Sequence, residues 1–214
     1  MIEQQNFLRK TGSPVLLVVE GFNDIEFLRR ISQILHEHDP TLLDLGVLEE
    51  QGRIVFVPFG GGGVLSWTDR LAPLGLREWH LYDRELPPET DLRLAAVEAV
   101  NQREQCQAFL TSKRSLENYL HSAAIKAAEG IDVAFHDFDP VVDLTARRIQ
   151  QRDEGAKPWE LLSRRTRSRR IHRAKQRLNT TAVDLMSVDM LHESDPNGDI
   201  ISWLTSIQEF LKQG

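Results

Sequence analysis

A single cysteine, Cys106, stands in 214 residues, which excludes an intrachain disulfide and any zinc site built on several cysteines. That usage is expected of a cytoplasmic protein, and Cys106 itself reads as a small strand residue. No run approaches the roughly 18 apolar residues of a membrane span, and the N-terminal MIEQQNFLRK lacks the apolar core of a secretion signal, so a soluble chain without a membrane partner is expected. The pattern Gly-x-x-x-x-Gly-Lys-Ser/Thr is missing, and with it the expectation of an ATPase site. The four glycines at 60–63, with no Lys-Ser/Thr after them, read as a turn. Acids are missing from residues 161–183, where Arg164, Arg165, Arg167, Arg169, Arg170, Arg173, Lys175 and Arg177 fall. The other 18 of the 26 basic residues face all 32 acids, so the formal charge of −6 conceals a cationic arm on an acidic body. Seven of the eight are Arg, whose planar fork pairs bidentately with phosphate, which favours nucleic acid over an acidic protein as the partner.

What is present begins with VLLVVEGFNDIEFLRR at 15–30. Five apolar residues read as a strand buried on both faces, with Glu20 at its carboxyl end. Gly21 permits a tight turn and Asn23 is the expected N-cap. Ile25, Leu28, Ile31 and Leu35 then recur at helical spacing, so Asp24 falls in the first turn. Residues 78–82 form another apolar-rich strand, running into Asp83-Arg84-Glu85. If the strands are parallel, Glu20, Asp24, Asp83 and Glu85 meet at one edge, where open α/β sheets bind ligands. Crowded carboxylates raise one another's pKa, and Mg²⁺ or Mn²⁺ resolves that conflict with hard oxygen ligands alone. Either pair by itself would serve equally as helix-start acids. The histidines offer no rival site, because His36 and His38 are two residues apart near a helix end.

Glu20-Gly21 with Asp24, then Asp83-x-Glu85 after a later strand, resembles the Toprim domain of topoisomerases, bacterial primases and OLD-family nucleases. The stretch Arg114-Ser115-Leu116-Glu117-Asn118-Tyr119-Leu120 is similar to the Ser-x-Glu-Asn segment of the OLD branch. The resemblance covers about 13–125, and more weakly 175–204. It implies that Glu20, Asp24, Asp83 and Glu85 hold Mg²⁺ or Mn²⁺, with Ser115 and Glu117 completing a second site. Glu20 and Asp83 would be catalytic beside a lysine from beyond the core. Lys175 is the candidate for that lysine, with Lys157 and Lys113 as rivals. Glu85 stands where the family has Asp, which shifts a carboxylate by one methylene. Ser115 and Glu117 would also serve as an ordinary helix start, and Lys175 as one more cation of the arm.

Further strands are expected at 54–59 and 107–110, and helices at 64–74, 91–105, 141–149, 158–178 and 200–211. Gly155, residues 179–181 and residues 195–198 separate the last of these. The expected fold is α/β: a Toprim, Rossmann-like domain at 1–128 with a mostly parallel four-stranded sheet flanked by helices, then a helical C-terminal subdomain at 129–214 carrying the Arg-rich segment. The expected function is metal-dependent endonucleolytic cleavage of DNA by a stand-alone Toprim unit. RNA processing, or a regulatory nucleic-acid-binding role beside a separate ATPase subunit, are the alternatives. Tyr82 and Tyr119 are the only tyrosines, and packing explains Tyr119 better than covalent attack does.

Overall fold

Val15–Val19 is buried at every position and forms β1, an inner strand of the sheet in the computed structural model, which describes residues 13–60, 63–152 and 155–212. Gly61 and Gly62 of the glycine run and the N-terminal segment read for a secretion signal lie outside the described residues. Strands β2 (Ile54–Pro58), β3 (Glu78–Tyr82) and β4 (Cys106–Leu110) complete the sheet in the order β2-β1-β3-β4, and all three pairings are parallel. The order reverses at β1, so the carboxyl ends of β1 and β3 open side by side on the edge where such sheets bind ligands. Glu20 and Asp83 both leave the sheet there.

The helices are α1 (Phe22–His38), α2 (Leu45–Glu50), α3 (Glu89–Asn101), α4 (Ser122–Glu129), α5 (Val141–Arg152), α6 (Arg164–Arg177), α7 (Val188–Ser194) and α8 (Asp199–Lys212). This is the expected α/β class, with helices flanking the sheet and a helical C-terminal part. No helix among the described residues is long and apolar enough to cross a membrane.

Local chemistry explains where elements depart from the expected ones. The N-cap of α1 is Gly21, not Asn23: its backbone is extended and its N–H donates to Asp24 Oδ2 at 2.7 Å, which sets the first turn two residues earlier. The helix expected at 64–74 is two 3-10 turns, Val64–Trp67 and Ala72–Leu74. The hydroxyls of Ser66 and Thr68 donate to the carbonyls of Gly63 and Leu65. Pro73 has no N–H to give, and both effects weaken an α-helical ladder. α3 runs 89–101 rather than 91–105, because the Asn101 side chain is drawn to the backbone of Ala108 in β4. The helix expected from 158 starts at Arg164 after a 3-10 turn, since Ser163 caps the Thr166 N–H at 3.2 Å. Residues 179–181, expected as a break, instead belong to a π-helical turn, Leu178–Ala182, that continues α6. Asn179 Nδ2 and Thr180 Oγ1 donate to the carbonyls of Lys175 and Gln176, so side chains compete for the acceptors of a regular turn.

Alternation along β1 divides the core. Leu16 and Val18 pack with Tyr82, Ala96 and Val100 on one face. Val15, Leu17 and Val19 enter a larger cluster on the other. That larger cluster includes Phe27, Trp79 and Tyr119 together with Leu178, Trp203 and Leu204, so residues on both sides of position 128 share one core. α8 lies against it, with Trp79 Nε1 donating to Ser206 at 3.2 Å and Tyr119 edge-on to Trp203 at 5.3 Å. Trp203→Ala is therefore expected to cost about 3–5 kcal/mol and to lower the unfolding midpoint of the sheet and the helices together. A denaturant titration followed by both circular dichroism and fluorescence checks this, since two separate transitions would mean independent units.

Candidate active site

The edge formed by β1 and β3 gathers acids from three segments of chain. Asp24 reaches it from the first turn of α1, held by the Gly21 N–H, while its Oδ1 is buried with no hydrogen-bond partner. Asp83 follows β3 directly and is 5% exposed; its Oδ1 accepts the Leu116 N–H at 3.1 Å. Glu117, 1% exposed, sits on a 3-10 turn, Leu116–Tyr119, that Ser115 caps. Its Oε2 accepts from Ser115 Oγ at 2.7 Å and its Oε1 from Asn179 Nδ2 at 2.7 Å. The helix-start arrangement expected of Ser115 and Glu117 is present, and the same turn carries the Glu117 carboxylate to the acids of the sheet edge.

Lys175 of α6 enters this acidic group, its Nζ 3.6 Å from both Asp24 Oδ1 and Glu117 Oε1. Its two rivals stay outside. Lys113 pairs with Asp137 at 2.6 Å, and Lys157 is exposed. Glu20 and Glu85 are at the same edge but paired, Glu20 with Arg93 at 2.6 Å and Glu85 with Arg114 at 3.1 Å. Glu85 takes a left-handed backbone, φ 54°, uncommon for a residue with a side chain, and its N–H donates to the Arg114 carbonyl.

Arg93, Arg114 and Asn179 were not anticipated from the sequence. Nothing in the sequence marks the two arginines, since their partners come from remote segments. Asn179 carried a usable signal: four residues after Lys175, it belongs on the same helical face.

The protonation energetics follow from burial and crowding. Burial pushes the Asp24 carboxyl up to about 6, with Glu117 and Glu20 adding repulsion and Lys175 opposing it. Asp83 is raised well above the carboxylate range by burial and then by Asp24 and Glu20. Glu20 is raised by burial against the pull of Arg93. Burial also pushes Glu117 up, but the Lys175 charge and the hydrogen bonds from Asn179 and Ser115 outweigh it, and the group ends below its ordinary value. Glu117 and the other acids hold the Lys175 ammonium well above the ordinary lysine range despite its burial. With Glu20 held by Arg93, the Lys175 ammonium alone stands against Asp24, Asp83 and Glu117, a cluster short of positive charge.

Oxygen-only donors and an orphaned Asp24 oxygen suit a hard divalent cation. Among the described residues, no three Asp, Glu, His or Cys side chains stand close enough together to hold a metal ion as they lie. The acids surround an ammonium instead.

On α6 the arginines diverge. Arg164, Arg165, Arg169 and Arg173 are exposed, Arg167 and Arg170 half-buried, and Arg177 pairs with Glu129. Tyr82 and Tyr119 are buried packing residues whose hydroxyls bond to His80 and Asp199.

The fold and site thus define an α/β protein with a parallel four-stranded sheet and an acid cluster with one lysine at its carboxyl edge. The chain is similar to two solved structures of the C-terminal region of the Xanthomonas campestris pv. campestris OLD protein. One, phased with iodine, is 13% identical and covers 91% of this chain and 97% of its own, with a TM-score of 0.44. The other, phased with platinum, is 17% identical over 92% and 97%, with the same TM-score. No protein-family model and no curated protein matches the chain.

Proposed function

We propose that the chain is a Toprim-type endonuclease that hydrolyses phosphodiester bonds of DNA with Mg²⁺ or Mn²⁺. The observation that supports this most is the Lys175 ammonium 3.6 Å from both Asp24 and Glu117, beside Asp83, at the sheet edge suited to ligands. Asp24, Asp83 and Glu117, with Glu20, Glu85 and Ser115 around them, would hold the cation. When bound there, it neutralises phosphate charge and activates the attacking water.

The chain's own groups supply the rest. Lys175 stabilises negative charge developing on the phosphoryl oxygens, as a fixed cation already in place beside the acids. Asn179 and Ser115 fix the Glu117 carboxylate from both oxygens, and backbone N–H groups of Gly21 and Leu116 fix Asp24 and Asp83. The exposed arginines of α6 would neutralise phosphates along the strand. Replacing Arg164, Arg165 and Arg169 together by Gln is expected to weaken DNA binding and to reduce the slope of log K against log salt by about 0.9 for each phosphate no longer neutralised. An unchanged slope in anisotropy titrations would assign these arginines to a protein partner or to solvent.

The test is incubation of the purified protein with supercoiled plasmid and Mg²⁺ or Mn²⁺. Nicked or linear product with metal and none with EDTA is the expected result. A second reading has its own observation, because Arg93 and Arg114 occupy Glu20 and Glu85. On that reading the chain is a nucleic-acid-binding regulatory subunit acting with a separate ATPase. Plasmid left intact with either metal, but bound, would favour it.

A further inference from the structure

α6 has a second face that the acid cluster does not use. Arg170, Arg173, Ala174 and Arg177 recur every three or four residues and share one side of the helix, with Lys175 turned about 100° away from Ala174. With Ile149 and Arg152 of α5 and Glu129 at the end of α4, that side lines a cavity of about 450 Å³. This is within the roughly 300–1,000 Å³ of small-ligand sites. Among the described residues, four guanidinium groups face it against one carboxylate.

The arginines are not equivalent. Arg177 is anchored to the wall through Glu129 Oε1 and the Ala128 carbonyl, and Arg152 donates to the Glu129 carbonyl. Arg170 Nε is buried with no hydrogen-bond partner. No hydrogen bond or ion pair to a described residue holds Arg173. A buried charged donor without an acceptor is costly and calls for an anion. Two guanidinium forks suit a phosphate, whose several peripheral oxygens accept from both. Ala146 and Ala174, each 2% exposed, and Ile149 add an apolar wall beside those donors.

We propose that this cavity binds a nucleoside monophosphate, free or as the 5′-terminal nucleotide of a strand, with its phosphate on Arg170 and Arg173 and its nucleoside against the wall of Ala146, Ile149 and Ala174. The site is separate from the acid cluster and does not depend on phosphodiester hydrolysis.

Isothermal titration calorimetry on the full chain in EDTA tests it, with deoxyadenosine monophosphate as the probe. One site per chain is expected, weakened about tenfold or more by Arg170→Gln and by Arg173→Gln, the loss of a charge-assisted hydrogen bond. Ala146→Leu, which fills the cavity without changing charge, should weaken it too. Lys126→Gln, an equal charge change at an exposed residue of α4, should leave affinity within about twofold. A 5′-phosphorylated dinucleotide that competes equally supports a strand end, and one that is excluded supports the free nucleotide. Absent binding, wild-type affinity in folded Arg173→Gln, or equal affinity for deoxyadenosine or for inorganic phosphate would overturn the proposal. Thermal melts establish that each variant is folded.

Discussion

Asp83→Asn is expected to reduce metal-dependent plasmid cleavage by roughly a hundred- to a thousandfold while making the metal-free protein more stable. Asparagine keeps an oxygen to accept the Leu116 N–H, so the loop after β3 retains its tie, but it removes one acid from a buried group that repels itself. Loss of activity with a raised melting temperature is the signature of a residue kept for function against stability. The pH dependence has the same origin. Asp24 has its carboxyl raised from 3.8 to about 6, so the folded state binds that proton more tightly than the unfolded chain does. Its contribution is fully present below about 3.8 and is lost as pH rises through about 6, on the order of 2–3 kcal/mol. In EDTA the wild-type melting temperature should fall between pH 4 and pH 6.5, and less steeply in Asp24→Asn. Calorimetric scans across that range check both statements. A variant of Asp83 that cleaves at the wild-type rate would remove it from the mechanism.

Lys175→Met should lower stability and turnover together. Removing the ammonium leaves Asp24, Asp83 and Glu117 without their nearest cation. Breaking a buried ion pair from one side costs about 3–5 kcal/mol, and the one-third exposure of Lys175 reduces that to about 2–4. Glu117 is the most sensitive reporter. It is held below its ordinary value mainly by Lys175, so without the ammonium burial prevails and its carboxyl should rise above its ordinary value. Carboxyl chemical shifts followed against pH measure this directly. A group acting on the transition state also lowers kcat more than it weakens DNA binding. If Lys175→Met reduced affinity alone, Lys175 would belong with the phosphate-contacting arginines.

The centre of the sheet was legible in the sequence because its two inner strands are short and buried at every position. Residues 15–19 and 78–82 are uninterrupted enough to read as strands, and the acids that follow them are conspicuous for standing next to apolar runs. Contacts made in three dimensions were not legible. Nothing local distinguishes Lys175 from Lys113 and Lys157, because the distinction is which of them α6 carries to the acids. Arg93 and Arg114 neutralise Glu20 and Glu85 across gaps of 73 and 29 residues, with no spacing rule to expose them. The π turn at 178–182 was hidden because Asn and Thr residues read as a break, whereas here their side chains bond back onto the helix they extend. The division of the Arg-rich helix into an exposed side, a cavity side and the Lys175 side depends on α5 and α4 packing against it, which its charge count does not contain.

The most direct measurement of the central claim is anomalous diffraction from crystals soaked in Mn²⁺ at near-neutral pH. The account predicts an anomalous peak coordinated by Asp83 together with Asp24 or Glu117, within reach of Lys175. Mn²⁺ bound elsewhere, or no peak at the sheet edge while the Lys175 ammonium still holds Asp24 and Glu117 at millimolar Mn²⁺, would contradict it.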